Sequence, residues 1–278
     1  MRIRLSLCAL GVFLASLFLA NVSAFAQPAP TGKTEVLWLG QSAFRITTPG
    51  GKVIITDPWL RTNPTTPAEY KNLEALGKID VLLVTHGHFD HFADAPALAI
   101  LNKIPMYAPG DMNLSATYLG ILPPEQLPRF NVNGTVVPAP GIKVTAVHAE
   151  HSSVLSWKNP ATGKDETHVG GAPLGYIIEL ENGFKIYHMG DTGLFGDMKF
   201  IAEYYKPDLV LMPIGGNFTM APADAAYAIR EWIKPKTVIP MHYGSNPLGK
   251  GTPAELLQSL GASATKVLAL KQGEKAEF

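Results

Sequence analysis

The sequence predicts an α/β (α+β) protein built as a four-layer αββα sandwich, with two mixed sheets packed together and helices on their outer faces. Two observations lead to this prediction. Short apolar and β-branched segments recur along the chain in the coarse order sheet, helix, sheet, helix. In addition, His and Asp side chains directly follow several of these segments, as ligand-binding residues do at the carboxyl ends of strands in α/β sheets.

Residues 1–26 have the pattern of a secretory signal peptide. Basic residues Arg2 and Arg4 precede an almost wholly apolar run from Leu5 to Ala20, and Ala24-Phe25-Ala26 supplies a small-x-small cleavage pattern. An uncleaved membrane anchor is the alternative interpretation. It ranks second because the apolar run is short for a span and a cleavage site follows it.

This pattern sets the predicted domain organisation. We expect cleavage after Ala26, a short tether over residues 27–33 that contains proline and glycine, and a single domain over residues 34–278. The mature protein is therefore expected in the periplasm or secreted, with no stable membrane anchor after cleavage.

The composition argues against nucleic-acid binding and limits the possible metal ligands. The 278 residues are 46% hydrophobic and carry a formal net charge of +0, which is ordinary for a globular domain and gives no sign of nucleic-acid binding. Cys8 is the only cysteine, and it lies within the predicted signal peptide. The mature chain then has no thiolate, so any metal must be held by His, Asp or Glu.

The predicted elements follow from apolar runs bounded by turn residues. The predicted strands are Glu35–Leu39, Ala43–Thr48, Lys52–Thr56, Val81–Val84, Thr135–Val137, Ile142–Val147, Leu174–Leu180, Phe184–Met189, Asp208–Met212, Thr237–Pro240 and Lys266–Leu270. The predicted helices are Phe92–Leu101, Phe195–Tyr205, Pro222–Ile233 and Pro253–Leu260. Residues 104–134, rich in proline, should form strand fragments, turns and short helical pieces, and residues 152–173 a long hairpin or flap.

One turn between a strand and a helix carries a dense cluster of ligand-type side chains. His86, His88, Asp90 and His91 fall within six residues, directly after the predicted strand Val81–Val84. Imidazole and carboxylate groups packed this closely would repel each other or lose hydration if nothing bound them. A divalent metal resolves that conflict.

Three later strand ends present side chains of the same kind. They are His151, Asp191 and His242. Of the eight histidines in the chain, five lie at these four points, and histidines scattered through a core or surface would not follow strands so consistently. His148, three residues before His151, competes with it as a ligand and otherwise has a supporting or structural role.

The motif His86-Gly87-His88-Phe89-Asp90-His91 resembles the His-x-His-x-Asp-His signature of the metallo-β-lactamase superfamily. The resemblance covers nearly all of the mature chain. It is closest to the branch of metal-dependent hydrolases related to ascorbate-phosphate lactonase and N-acyl-phosphatidylethanolamine phospholipase D. The supporting stretches are Ile55–Pro58, Ala149–Ser153, Gly190–Gly193, Pro213–Met220 and Ile239–Tyr243.

The resemblance implies a binuclear metal centre. Its first ion would bind His86, His88 and His151, its second ion Asp90, His91 and His242, and Asp191 would bridge the two. A nitrogen and oxygen ligand set suits zinc, our first choice, and also manganese or iron.

The resemblance also implies hydrolysis, with a hydroxide that bridges the metals attacking an ester, lactone or phosphodiester bond of a small-molecule substrate. Asp90 is expected to orient that hydroxide and pass a proton. Amide or β-lactam hydrolysis is the first alternative, and a non-catalytic metal-binding protein that retains the fold is the second. The sequence does not reveal the oligomeric state.

Further residues are predicted around the ligands. Asp57 would brace the ligand loop by hydrogen bonding, because histidines that bind metals usually donate to carboxylates. Tyr243, directly after a ligand, and Asn217, in a glycine-containing strand end, are candidate pocket residues. The other aromatic or apolar side chains that flank ligand segments and could line a pocket are Trp59, Phe89, Trp157, Phe218 and Met220. His188 should be a packed, hydrogen-bonded histidine and His168 a solvated one.

Overall fold

The computed structural model describes residues 30–278 of the chain. The predicted signal peptide over residues 1–26 lies outside the described residues, as do residues 27–29 of the predicted tether. None of the helices within residues 30–278 combines the length and the apolar character of a membrane-spanning helix.

The described chain folds into strands and short helices. The strands are β1 (Glu35–Gly40), β2 (Ala43–Thr47), β3 (Val53–Thr56), β4 (Val81–Leu83), β5 (Met106–Pro109), β6 (Arg129–Phe130), β7 (Thr135–Ala139), β8 (Ile142–His148), β9 (Val154–Lys158), β10 (Asp165–Val169), β11 (Leu174–Glu179), β12 (Lys185–His188), β13 (Leu209–Pro213), β14 (Thr237–Met241), β15 (Lys266–Val267) and β16 (Lys275–Glu277). The helices are α1 (Phe89–Phe92), α2 (Ala95–Asn102), α3 (Gly110–Tyr118), α4 (Asp197–Tyr205), α5 (Pro222–Tyr227) and α6 (Pro253–Leu260). A π-helical turn at Ala228–Ile233 continues α5, and 3-10 turns lie at Ala68–Lys71, Leu73–Leu76 and Pro124–Gln126.

Two seven-stranded mixed sheets form the centre of the fold, as the sequence predicts. Their strand orders are β16-β1-β2-β3-β4-β5-β6 and β15-β14-β13-β12-β11-β8-β7. In each sheet one side is antiparallel and the other parallel, with β3 to β6 parallel in the first and β12 to β15 parallel in the second. The hairpin β9-β10 forms the predicted flap over residues 152–173.

Alternate side chains along a strand belong to different apolar layers of the fold. On β13, Leu209 and Leu211 belong to the apolar cluster between the sheets, whereas Val210 and Met212 belong to the cluster that contains Leu256 of α6. Successive side chains of a strand point to opposite faces, so one strand serves both layers. Because β1 divides in the same way between two apolar clusters, the predicted four-layer sandwich is confirmed.

Several predicted elements have different bounds in the structure, and two of them are described here. The helix predicted over Phe92–Leu101 is split into α1 and α2 at Asp94, whose carboxylate accepts hydrogen bonds from the backbone N–H groups of Leu60 and Arg61. The strand predicted over Lys266–Leu270 ends at Val267, because β15 is a short edge strand. Both corrections leave the strand ends that carry ligand-type residues in place.

Candidate metal centre

His86 and His88 lie on the loop between β4 and α1, two residues apart, and their rings meet. His86 Nε2 is 2.9 Å from His88 Nδ1. Gly87 between them passes close to the flap, since a Cβ at this position would lie 2.7 Å from the carbonyl oxygen of Val154. The ring of His151 packs edge to face against both histidines, with centroid separations of 5.1 and 5.2 Å.

Asp90 and His91 belong to the single turn α1 and face the second sheet. His91 is fully buried, and its Nε2 lies 3.8 Å from Asp90 Oδ2 and 3.3 Å from Asp191 Oδ1. The turn α1 therefore carries two ligand-type groups toward the carboxylate that follows β12.

The second sheet supplies Asp191 and His242 from the loops after β12 and β14. His242 Nε2 is 2.9 Å from Asp191 Oδ2 and 3.5 Å from Asp90 Oδ2. The loop before Asp191 is fixed by His188, whose Nδ1 accepts from Gly190 N at 3.1 Å and whose Nε2 donates to the Ser42 carbonyl at 3.0 Å. His188 is thus the packed, hydrogen-bonded histidine that the sequence predicts.

The close approach of two loops helps to place His242. Its backbone has φ +58°, in the left-handed region, and its N–H donates to the Gln41 carbonyl at 3.0 Å. A Cβ on Gly215 would lie 2.2 Å from the His242 carbonyl oxygen, so this position has room only for glycine.

The donor atoms of this cluster fit divalent ions. Three groups of His and Asp side chains each bring their ligand atoms within 4.8 Å of one another: His86, His88 and His151; His86, His91 and Asp191; Asp90, His91 and His242. Metal–ligand bonds of about 2.0–2.2 Å at tetrahedral angles separate ligand atoms by about 3.3–3.6 Å, close to the separations above.

Unpartnered buried atoms point to the same conclusion. Within the described residues 30–278, His91 Nε2, His151 Nε2 and Asp191 Oδ1 are buried without a hydrogen-bond partner. Buried polar atoms are normally paired, and a metal ion would pair all three. All seven predicted ligands meet at one place, although they come from both sheets.

Opposing charges dominate the electrostatics of the cluster. Burial would raise the pKa of Asp191, but His242 and His91 hold that pKa well below its usual range. Burial likewise opposes the charge of His91, and the carboxylates of Asp191 and Asp57 raise its pKa well above the ordinary value. For His242, Asp191 and Asp90 outweigh burial and raise the pKa to about 9. In the absence of metal, protons on His91 and His242 thus balance the charge of the neighbouring carboxylates, and divalent ions would replace these protons.

Asp57 braces the ligand loop, as the sequence predicts. Its carboxylate accepts from Thr85 N at 2.7 Å, from Thr85 Oγ1 at 2.8 Å and from His91 Nδ1 at 2.8 Å. Because Nδ1 donates to Asp57, the lone pair of His91 Nε2 would face a metal ion that replaces the proton on this nitrogen. Thr85 Oγ1 also lies 3.1 Å from His86 Nδ1, so one buried carboxylate orients both rings.

Asp57→Asn should lower the affinity for metal by about 10–100-fold, because the amide turns one donor toward another donor at His91 or Thr85. Asp80→Asn is the matched control, since Asp80 also accepts from a backbone N–H, that of Val53 at 2.9 Å, but precedes β4, whereas the ligand loop follows that strand. Chelator competition measures both affinities. Equal affinity in Asp57→Asn and wild type would refute the bracing role.

A cavity of about 280 Å³ opens onto the cluster. Besides ligand-type residues it is lined by Phe89, Ser152, Phe218 and Asn246. Phe89 and Phe218 are 55% and 43% exposed, so two aromatic side chains border the opening without being buried in a core. Trp59 packs edge to face on Phe89 at 5.4 Å and supports it from behind.

Three predicted neighbours of the site lie elsewhere. His148 is partly exposed, pairs with Glu150 at 3.3 Å and packs on Phe195, so His151 alone reaches the cluster. Tyr243 packs on Trp38 at 5.1 Å, and its hydroxyl donates to the Leu270 carbonyl at 3.3 Å.

Asn217 is the third of these residues. It lines a separate groove of about 580 Å³ along α5 and α6 that contains none of the predicted ligands. The tight turn in which Phe218 N donates to the Gly216 carbonyl places Phe218, rather than Asn217, at the metal cavity. Neither Tyr243 nor Asn217 therefore lines the cavity beside the predicted ligands.

Sequence reasoning missed Gln41, Ser152 and Asn246. Gln41 Nε2 lies 2.9 Å from Asp90 Oδ2 and 2.8 Å from His242 Nε2. Gln41 directly follows β1, so the rule that found the other residues, polar side chains at strand ends, could have found it. Ser152 and Asn246 lie close in sequence to His151 and His242, which is a weaker signal.

Comparisons with known proteins agree with this geometry. Residues 35–242 match the model of the β-lactamase superfamily domain. A "UPF0173 metal-dependent hydrolase" of a Polaromonas species is 78% identical over 255 residues, covering 92% of this chain and 93% of that protein. A protein of the same name from Polynucleobacter asymbioticus is 62% identical over 275 residues, covering 96% of each chain.

A solved structure is also similar over most of the chain. Igni18, described as a novel metallo hydrolase from the archaeon Ignicoccus hospitalis, superposes with a TM-score of 0.75 at 31% identity, covering 88% of this chain and 98% of that one. The fold and the superfamily that the sequence predicts are confirmed.

Proposed function

We propose, because this chain belongs to the β-lactamase superfamily, that it is a metal-dependent hydrolase with a binuclear centre. His86, His88 and His151 would hold the first ion, and Asp90, His91 and His242 the second. Asp191 would bridge them, since its two oxygens approach His91, His151 and His242. The observation that carries this proposal is that buried nitrogen and oxygen atoms without hydrogen-bond partners converge on one small cavity.

Two divalent ions bound here would lower the pKa of water enough to supply a nucleophile near neutral pH and would neutralise charge that develops on the substrate oxygen. Zinc is our first choice, and manganese or iron also suits the ligand types.

The chain's own residues have distinct roles. Asp57 fixes the orientation of the His91 ring through the bond at Nδ1. Asp90 lines the cavity, so its carboxylate can orient a nucleophilic water and accept its proton. Phe89 and Phe218 flank the opening and favour a substrate with an apolar group beside the scissile bond.

We propose an ester, lactone or phosphodiester as the bond cleaved, with an amide or β-lactam as the alternative. The test is a hydrolysis screen of the metal-loaded protein over these five bond types. Each positive reaction is repeated with chelator and with the Phe218→Ala variant. We expect hydrolysis that chelator abolishes and a raised KM in Phe218→Ala. If no class is hydrolysed by protein that holds its metal, the non-catalytic alternative is correct.

We also propose that the enzyme is exported, on the basis of the pattern in residues 1–26 alone. N-terminal sequencing of protein recovered from a periplasmic extract or culture medium should begin at Gln27. A chain that retains Met1 in the cytoplasmic fraction would contradict export.

A further inference from the structure

Gln41 is a buried glutamine at the edge of the second metal site. It lies in the tight turn between β1 and β2 with φ +49°, and it is 1% exposed. Its carbonyl accepts from Trp38 Nε1 at 2.9 Å and from His242 N at 3.0 Å. These two bonds fix the backbone in a conformation unusual for a residue with a side chain, so the direction in which the side chain leaves the backbone is set before any ion binds.

The side-chain amide reaches two of the second ion's proposed ligands. Gln41 Nε2 is 2.9 Å from Asp90 Oδ2 and 2.8 Å from His242 Nε2, while those two atoms are 3.5 Å apart. The terminal amide atom is thus as close to these ligand atoms as they are to one another. Within the described part of the chain, its other terminal atom, Oε1, is buried without a hydrogen-bond partner.

In this orientation Gln41 Nε2 donates to the Asp90 carboxylate, and an ion in the second site would displace that hydrogen bond. The His242 Nε2 lone pair and the Asp90 charge would both be directed at the cation, and an N–H group cannot face a cation favourably. A half-turn of the amide exchanges Nε2 and Oε1, which places an acceptor where the donor was. An amide oxygen is a normal ligand for hard divalent ions such as Mn²⁺ and is neutral, so it adds a ligand without adding charge.

We propose that Gln41 is a further ligand residue of the second metal site, with its Oε1 facing the ion and its Nε2 facing the ligands only in the metal-free protein. This inference rests on the proposed binuclear centre. It also predicts that the second site accepts Mn²⁺ more readily than a site made only of His and Asp.

Metal titration of three variants tests the proposal. Gln41→Met keeps the length and loses both polar atoms, Gln41→Asn keeps the amide but shortens its reach, and Gln41→Glu replaces Nε2 with a second oxygen. With Mn²⁺ and Zn²⁺ in competition with a chromogenic chelator, Gln41→Met and Gln41→Asn should bind the first ion normally and the second about 10–100-fold more weakly. Gln41→Glu should bind the second ion at least as tightly as wild type.

The glutamate variant separates a ligand from a positioning residue. If Gln41 acted only by donating Nε2–H to Asp90, a carboxylate there would repel Asp90, and Gln41→Glu would bind the second ion as weakly as Gln41→Met. That result overturns the proposal, as does wild-type affinity in Gln41→Met or a wild-type protein that binds one ion only. Hydrolysis measured on the same samples tests the proposed function separately, because wild type could bind two ions through Gln41 and still hydrolyse nothing.

Discussion

Replacing Asp191 with alanine is expected to abolish hydrolysis and to remove both ions from the protein. Asp191 is 3% exposed, and its Oδ2 lies 2.9 Å from His242 Nε2, 3.6 Å from His151 Nε2 and 4.0 Å from His86 Nε2. Without this carboxylate, each proposed half-site would lose its shared anionic ligand, and His86, His151 and His242 would lose the carboxylate that they approach. We expect activity to fall by at least about 10³-fold, the equivalent of about 4 kcal/mol of transition-state stabilisation.

Metal content and initial rates of Asp191→Ala and of wild type, purified in parallel, measure this effect. His148→Ala is the matched control, because it removes a partly exposed histidine that follows the same strand as His151 but pairs with Glu150 instead of the cluster. His148→Ala should retain metal and activity. Stoichiometric metal in Asp191→Ala would show that the bridging role is wrong.

Removing the metal from the wild-type protein should lower its stability substantially. Ligands from both sheets meet only in the folded chain, so ions bind the native state and stabilise it by mass action. At a free ion concentration about a thousandfold above Kd, one site contributes about 4 kcal/mol. For a domain of this size, that corresponds to a fall in Tm of roughly 10 °C on treatment with chelator.

Thermal unfolding with and without chelator, followed by restoration with excess Zn²⁺ or Mn²⁺, measures the difference. His88→Ala, which lacks a proposed ligand of the first site, should show a smaller change than wild type. An unchanged Tm in wild-type protein that is shown to lose its metal would mean that the ions do not link the two sheets.

The sequence indicates the ligands because each follows a strand of clear apolar pattern. The strands before His86, Asp191 and His242 are buried and continuous, so their ends could be located within one or two residues. His151 could be preferred to His148 only through family resemblance. The structure supplies the local reason, since Glu150 N donates to Thr192 Oγ1 at 3.0 Å and draws the segment toward Asp191.

Features that depend on distant contacts could not be predicted in this way. The strand β16 has the polar sequence Lys275-Ala276-Glu277 and forms the edge of the first sheet only because it pairs with β1. The helix α3 begins at Gly110 directly after a strand that ends in proline, so no start signal marks it.

The direction of a side chain after a strand could not be predicted from the sequence either. Tyr243 and Asn217 are adjacent to residues that face the cavity, yet each faces elsewhere, because neighbouring residues in extended or tightly turned backbone point to different sides. Gln41 directly follows β1, where the strand-end rule applies, but nothing in its local sequence indicates a contact with the cluster. Its position is set by His242, which lies in the other sheet.

The most direct measurement is a titration of metal-free wild-type protein and the His88→Ala variant with Zn²⁺ and Mn²⁺, with bound metal quantified at each step. His88 Nδ1 lies 2.9 Å from His86 Nε2 and belongs only to the proposed first site. A binuclear centre predicts two tightly bound ions per wild-type chain and one in His88→Ala. One ion or none in wild type, or two equally tight ions in His88→Ala, would contradict the binuclear centre.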